Sequence, residues 1–380
     1  LTEANNLSAE NKMKHIIIFI ILILTTQISA QDVRFINNNG FNSIGTREDR
    51  TASMTLYDID KDGDLDALVA NGRHWAEQNY IYFNNGRGTF KTALPIGRMM
   101  DASYALVAGD FNKDGFEDIA VANDRVANKI YWGSKDKNFE RESSFGDPGA
   151  PSRNLTVGDI DKDGDLDLIL SNRMAVNEIC LNDGKGNFDK IQHFGDAKNQ
   201  TIEIEIIDIN KDGHPDLVTA ERQAKNNIYI NDGRQSFTNA IEFGNEEDQT
   251  RSIEIADFDK DGFLDIVVGN LGTKNEIYFG DKELSFNRKF TFEEARRTSS
   301  VAVADLNKDG FLDIVEGNSG EGNYVYLGKA DGNFTEIELG KDQKLATYNM
   351  KAGDINNDGF PDIIESNSGG LNLIYITRKR

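Results

Sequence analysis

Seven nonapeptides concentrate the acidic chemistry of this chain of 380 residues. They read DIDKDGDLD from Asp58, DFNKDGFED from Asp110, DIDKDGDLD from Asp159, DINKDGHPD from Asp208, DFDKDGFLD from Asp257, DLNKDGFLD from Asp305 and DINNDGFPD from Asp354. Positions one, three, five and nine carry side-chain oxygens, and position six is always glycine. The candidate ligands are therefore Asp58, Asp60, Asp62 and Asp66; Asp110, Asn112, Asp114 and Asp118; Asp159, Asp161, Asp163 and Asp167; Asp208, Asn210, Asp212 and Asp216; Asp257, Asp259, Asp261 and Asp265; Asp305, Asn307, Asp309 and Asp313; and Asp354, Asn356, Asp358 and Asp362. An all-oxygen set at this spacing suits a hard cation with six to eight ligands, the glycine permitting the sharp turn and the position-seven carbonyl adding a donor. Calcium fits best. Magnesium demands a tighter octahedron, and zinc wants the His and Cys that are missing from these positions.

An EF-hand would place a bidentate Glu at position twelve. Here that position holds Val69, Val121, Leu170, Thr219, Val268, Glu316 and Glu365, and the flanks alternate like strands. Without metal the carboxylates of each loop repel. Up to seven divalent ions would bring the formal charge from −22 to −8, with affinity expected around 0.1 to 1 mM, the weak range of extracellular modules.

The elements that must hold these loops recur with them. First-Asp spacings are 52, 49, 49, 49, 48 and 49 residues, a period that marks a repeat architecture. A short strand precedes each loop (ALVAG, LTVG, IEIA, VAVA) and a second follows it (DIAVAN, DLILSN, DIVVGN, DIIESN). A third opens on an Asn, at Asn79, Asn128, Asn177, Asn226, Asn275, Asn323 and Asn372, and a fourth begins near a Phe. Four strands per period with Gly and Asn at the turns is one propeller blade. The last repeat stops after its third strand, and VRFINNNGF near the start supplies the missing one. The sequence therefore predicts one all-β domain over 32–377, a seven-bladed β-propeller of four-stranded antiparallel blades whose N-terminal strand closes the last blade.

The loops, with the FG and GD pairs around strand one (Phe145 and Gly146, Gly158 and Asp159, Phe194 and Gly195), resemble FG-GAP repeats. Such repeats form the propeller of integrin α subunits and the VCBS-repeat proteins that resemble it. The resemblance covers 35–376. It implies calcium loops on the lower face and ligand contacts on the upper one.

The upper face is expected from two loop sets, those after strand two and those before strand one. Eleven of the eighteen arginines beyond residue 30 fall there: Arg47, Arg50, Arg73, Arg98, Arg125, Arg153, Arg173, Arg222, Arg251, Arg296 and Arg297. Guanidinium groups grip carboxylates bidentately, although pairing with neighbouring acids such as Glu48, Asp49, Glu293 and Glu294 accounts for them equally well. Arg73, Arg125, Arg173 and Arg222, with His74 and Trp75 on a three-residue insertion, are the candidate ligand residues. An exposed Trp is a frequent anchor for sugars and proteins.

Residues 16 to 24 read IIIFIILIL after Lys12 and Lys14 and before a small residue at Ala30, the pattern of a signal peptide over 13–30 with an upstream start-site extension over 1–12. The run is too short for a permanent span. Export follows, to periplasm, cell surface or medium. One cysteine, Cys180, excludes an internal disulfide framework, and −22 excludes nucleic acid as a partner. No nucleophile elbow, zinc motif or phosphate loop is present. The expected role is a monomeric binding or adhesion module for a glycan or extracellular protein, with a structural or surface-assembly role and a lyase-like enzyme as alternatives.

Overall fold

The computed structural model describes residues 33–38, 42–46, 48–341 and 343–380. The expected extension (1–12), signal peptide (13–30), first domain residue (32) and Arg47 lie outside the described residues. The described residues form twenty-seven strands and no helix, and so no helix long and apolar enough to cross a membrane.

Within each repeat the strand after the metal loop is buried on both faces. Asp167–Asn172 (DLILSN) and Asp216–Glu221 (DLVTAE) have no exposed residue, because neighbouring sheets cover both sides, so these strands read as apolar runs and not as an alternation. The strand before the loop, such as Thr201–Ile207 (TIEIEII), is buried only in part and lines a central channel. The outermost strand, such as Glu142–Phe145, is mostly open to solvent. Register within a sheet is antiparallel throughout; Leu155 faces Leu170, Ile169 faces Ile179 and Cys180 faces Ile191.

The sheets number six, which corrects the expectation of seven four-stranded blades. Four have four strands. The chain ends share a fifth, in which Val33–Ile36 pairs with Asn372–Lys379, placing Phe35 opposite Thr377, and Ser43–Ile44 continues the pairing. The remaining sheet has six strands over 250–339, because Asp265–Phe279 and Arg288–Ala304 each run on where other repeats break. The cause lies in the turn before the inner strand. Every other repeat has a glycine there, after Phe, Ile or Leu, and Gly45, Gly97, Gly146, Gly195, Gly244 and Gly340 have φ between 65° and 83°, a left-handed conformation that glycine adopts without strain. In FEEARRT, Glu293 stands in that glycine's place and the segment is one residue shorter. The chain stays extended, and two repeats merge into one sheet.

Seven apolar clusters lie between successive repeats. In one, Phe111, Phe145, Phe188 and Trp132 pack together with Cys180, whose thiol burial pushes up. A polar circuit runs above them. The Asn opening each third strand accepts the N–H of the last residue of the second strand, at 2.7 to 2.9 Å in all seven repeats. Its amide then donates to a Ser or Thr of the next repeat: Asn79 to Ser103, Asn177 to Thr201, Asn275 to Thr298, Asn323 to Thr347 and, across the closure, Asn372 to Thr51 at 3.1 Å.

Asn177→Ala would strand the buried N–H of Asn172 and remove a bond to Thr201; the expected loss is about 2–3 kcal/mol, read by urea denaturation. Burial also pushes the Glu221 carboxyl up to about 7 from 4.5. The folded protein therefore binds a proton more tightly than the unfolded chain, so the Glu221 contribution to stability is full below about pH 4.5 and lost as pH rises through 7. Glu221→Gln should flatten that segment of the stability curve.

Candidate functional site

The seven acidic loops share one backbone. Position four is left-handed in each, at Lys61, Lys113, Lys162, Lys211, Lys260, Lys308 and Asn357, with φ between 56° and 62°. Side-chain acceptors hold this bend. In the first loop Asp58 accepts the N–H groups of Asp62 at 3.0 Å and Gly63 at 2.9 Å, and Asp62 accepts that of Asp64 at 3.0 Å. The ninth residue faces inward and ties two strands to the loop: Asp167 accepts from Ile160 at 3.0 Å and Asn182 at 2.8 Å. All seven such aspartates are 0 or 1 % exposed. Burial pushes the carboxyls of Asp66, Asp118, Asp167, Asp313 and Asp362 up to about 7, and those of Asp216 and Asp265 up to about 6. A divalent cation alongside would pull them back down.

The donor sets fit such a cation. Asp58, Asp60 and Asp62 can bring one oxygen each within 4.8 Å of one another, as can Asp159, Asp161 and Asp167, and Asp257, Asp259 and Asp265. Asp159 Oδ1 is buried without a hydrogen-bond partner, an arrangement that calls for a positive charge, and so is Asp60 Oδ1, although Lys137 pairs with the other oxygen of Asp60 at 2.7 Å. Where position three is Asn, the amide nitrogen donates to a loop carboxylate, as Asn112 does to Asp114 at 3.0 Å and Asn356 to Asp362 at 2.9 Å. Turning the amide over presents its oxygen to an ion instead. The position-four lysines do a job the spacing does not reveal: they reach across to the next loop. Lys61 donates to the Gly115 carbonyl at 3.0 Å, Lys162 to that of Gly213, Lys211 to that of Gly262, and Lys113 pairs with Asp165. Asn357 closes this lower ring onto Asp64 at 2.7 Å.

The other end of the channel is built from β-bulges. Each inner strand skips one residue in its pairing, after Thr51, Ser103, Ser152, Thr201, Thr250, Thr298 and Thr347. A bulge re-aims the extra side chain, and the seven skipped residues (Ala52, Tyr104, Arg153, Ile202, Arg251, Ser299 and Tyr348) all line a cavity of about 200 Å³ at the channel mouth. The loops after strand two add Arg73, His74, Arg173 and Arg222. Arg73 lies over the Tyr348 ring at 3.7 Å and Arg153 over Tyr104 at 4.3 Å. Arg173 and Arg222 donate through Nε to the neutral amides of Gln200 at 2.9 Å and Gln249 at 3.1 Å. Burial, then the nearby Arg173, lower the pKa of Arg222; burial outweighs the tyrosines in lowering that of Arg251, with Arg222 and Arg73 adding repulsion.

The FG-GAP-like repeat profile matches residues 58–121, 110–170, 208–268, 257–316 and 305–365, more than half of the sequence. The chain belongs to the FG-GAP-like repeat family. As an FG-GAP-like propeller it is a non-enzymatic module. No curated protein matches its sequence. Among solved structures it is similar to BBS1N in complex with ARL6DN, in a lead-soaked crystal (14 % identity, TM-score 0.60, 91 % of this chain and 96 % of that one) and a mercury-soaked one (14 %, 0.62, 90 % and 96 %). It is also similar to Raptor from Chaetomium thermophilum, at 10 % identity and TM-score 0.60 over 92 % of this chain and 30 % of that one. At these identities the likeness concerns the fold.

Of the residues expected to bind a ligand, Arg73, His74, Arg173 and Arg222 meet at the FG-GAP-like propeller's channel mouth and two do not. Trp75 is 55 % exposed, edge-on to His74 and beneath the Arg50 guanidinium at 4.7 Å. Arg125 lies outside the cavity, 76 % exposed, with its Nε 3.9 Å from Asp124, which binds Arg153 at 2.8 Å and His74 at 2.9 Å. Burial pushes Asp124 up, but these two partners outweigh it and hold the carboxyl below its usual range. Tyr104, Tyr348 and the narrowing of eleven arginines to those on bulges were not singled out from the sequence; a bulge shows only once strands are paired.

Asp167→Asn replaces a double acceptor with a group that can accept at one atom, leaving the Ile160 or Asn182 N–H facing an NH2. Urea denaturation with EDTA present should show a loss of about 2–3 kcal/mol, independent of any ion.

Proposed function

We propose that this protein is an exported, calcium-stabilised binding propeller that takes a glycan or protein ligand on the face opposite its acidic loops. The observation that carries the reading is the arginine-lined channel mouth. Binding sites are concave, with a few convergent polar groups, and arginine is enriched where binding energy concentrates. That BBS1N is solved in complex with ARL6DN supports a macromolecular partner for a propeller of this shape. The apolar run over 16–24 supports export to periplasm, cell surface or medium, where calcium at millimolar levels would load weak sites. In this arrangement the metal loops fasten strands and the far face recognises.

Calcium titration of the chelator-treated protein tests the first half. Each site of about 1 mM affinity contributes about 1.4 kcal/mol at 10 mM calcium, so several loaded loops should raise the melting temperature by many degrees. A melting temperature indifferent to EDTA and calcium would remove calcium from the proposal.

A further inference from the structure

The charge at the channel mouth does not balance. Arg153 is matched by Asp124. Arg73, Arg173, Arg222 and Arg251 form no ion pair among the described residues; the first three have only a Ser368 hydroxyl at 3.0 Å, Gln200 and Gln249 as hydrogen-bond acceptors, and Arg251 has none. One acid, Glu203, also lines the cavity. Its carboxylate accepts the Ile253 N–H at 2.8 Å, and the positive charge acting on it comes from Lys351 deeper in the channel. Four guanidinium groups therefore surround one small space with no anion to hold.

The unsatisfied atoms describe the missing partner. Nε of Arg73 and Nε of Arg251 are buried donors without acceptors, and Oδ1 of Asn154, which lines the same cavity, is a buried acceptor without a donor. The ionised carboxylate of an acidic side chain only accepts. A hydroxylated acid both accepts and donates. At about 200 Å³ the cavity is of a size to take one small ligand such as a single sugar ring. Tyr104 and Tyr348, each stacked on an arginine, hold the walls flat and the guanidinium forks oriented.

We propose that the channel mouth binds a single uronic acid residue, terminal or pendant on an acidic glycan, with its carboxylate held among Arg73, Arg173, Arg222 and Arg251 and its hydroxyls against Asn154 and the neighbouring serines. This rests on the binding-face reading above and names its ligand class. Titration calorimetry of the full chain in calcium would compare methyl galacturonide and glucuronide with methyl galactoside, N-acetylglutamate amide and inorganic phosphate. The uronides should bind best, with affinity falling as salt rises. Arg222→Gln and Arg251→Gln should each weaken them at least about tenfold, the scale of one charge-assisted hydrogen bond. Arg251→Lys should recover only part of the loss, because an ammonium lacks the planar fork. Arg125→Gln, outside the cavity, should change nothing. If a variant melts early, Arg173→Gln carries the comparison. Equal binding of the galactoside, equal or tighter binding of phosphate or N-acetylglutamate amide, or indifference to the arginine variants would overturn the assignment. Acidic-peptide binding with the same arginine dependence would overturn the uronide and leave the binding face standing. Failure of every probe would remove both.

Discussion

Each repeat buries a carboxylate at the point where its first two strands part, and the rest of the fold is arranged around satisfying it. The ninth loop residue accepts one N–H from the loop's second residue and one from the end of the third strand, so a single side chain binds three strands into one unit. Its neighbours at positions one and five turn the chain back on itself by accepting backbone N–H groups at their carboxylates. Burying that charge is costly. The cost is offset by two hydrogen bonds, and a cation among the convergent oxygens would offset more of it.

How much of this is legible in the sequence depends on how local the cause is. The loop spacing and the Asn of the third strand are read directly, because each acts within its own repeat or on the next. The closing strand is legible from the count of strands, and Phe35 lies opposite Thr377 as closure requires. The merging of two repeats into one sheet is not, since it turns on Glu293 replacing one glycine in a seven-residue turn that otherwise looks conventional. The channel mouth is half legible. Arg173 and Arg222 follow strand two directly and point inward. Arg125 stands one residue further on, behind an aspartate, and lies outside the cavity. Arg251 owes its place to a bulge that exists only in the pairing register.

The channel also holds a second cluster of ionisable groups below its mouth. Below the arginines lie Glu203, Glu205 and Glu254 around Lys351. Burial pushes Glu205 up to about 8 and Glu254 up to about 7. Burial favours a neutral Lys351, but the three glutamates outweigh it and keep the ammonium charged. Carboxyls raised that far are largely protonated at neutral pH, so a proton-sharing cluster around one ammonium, and not a fixed negative charge, underlies the arginine mouth.

The ring is closed by the short strand Val33–Ile36, whose first residue pairs with Lys379, near the other end of the chain. Because the two ends enter that pair from the same side, tension between them would load its hydrogen bonds one after another, like a zipper, and not all at once in shear. The propeller is therefore mechanically weakest at its seam, however firmly its acidic loops are fastened. A pull on both ends would open the last sheet before the six-stranded sheet packed beside it.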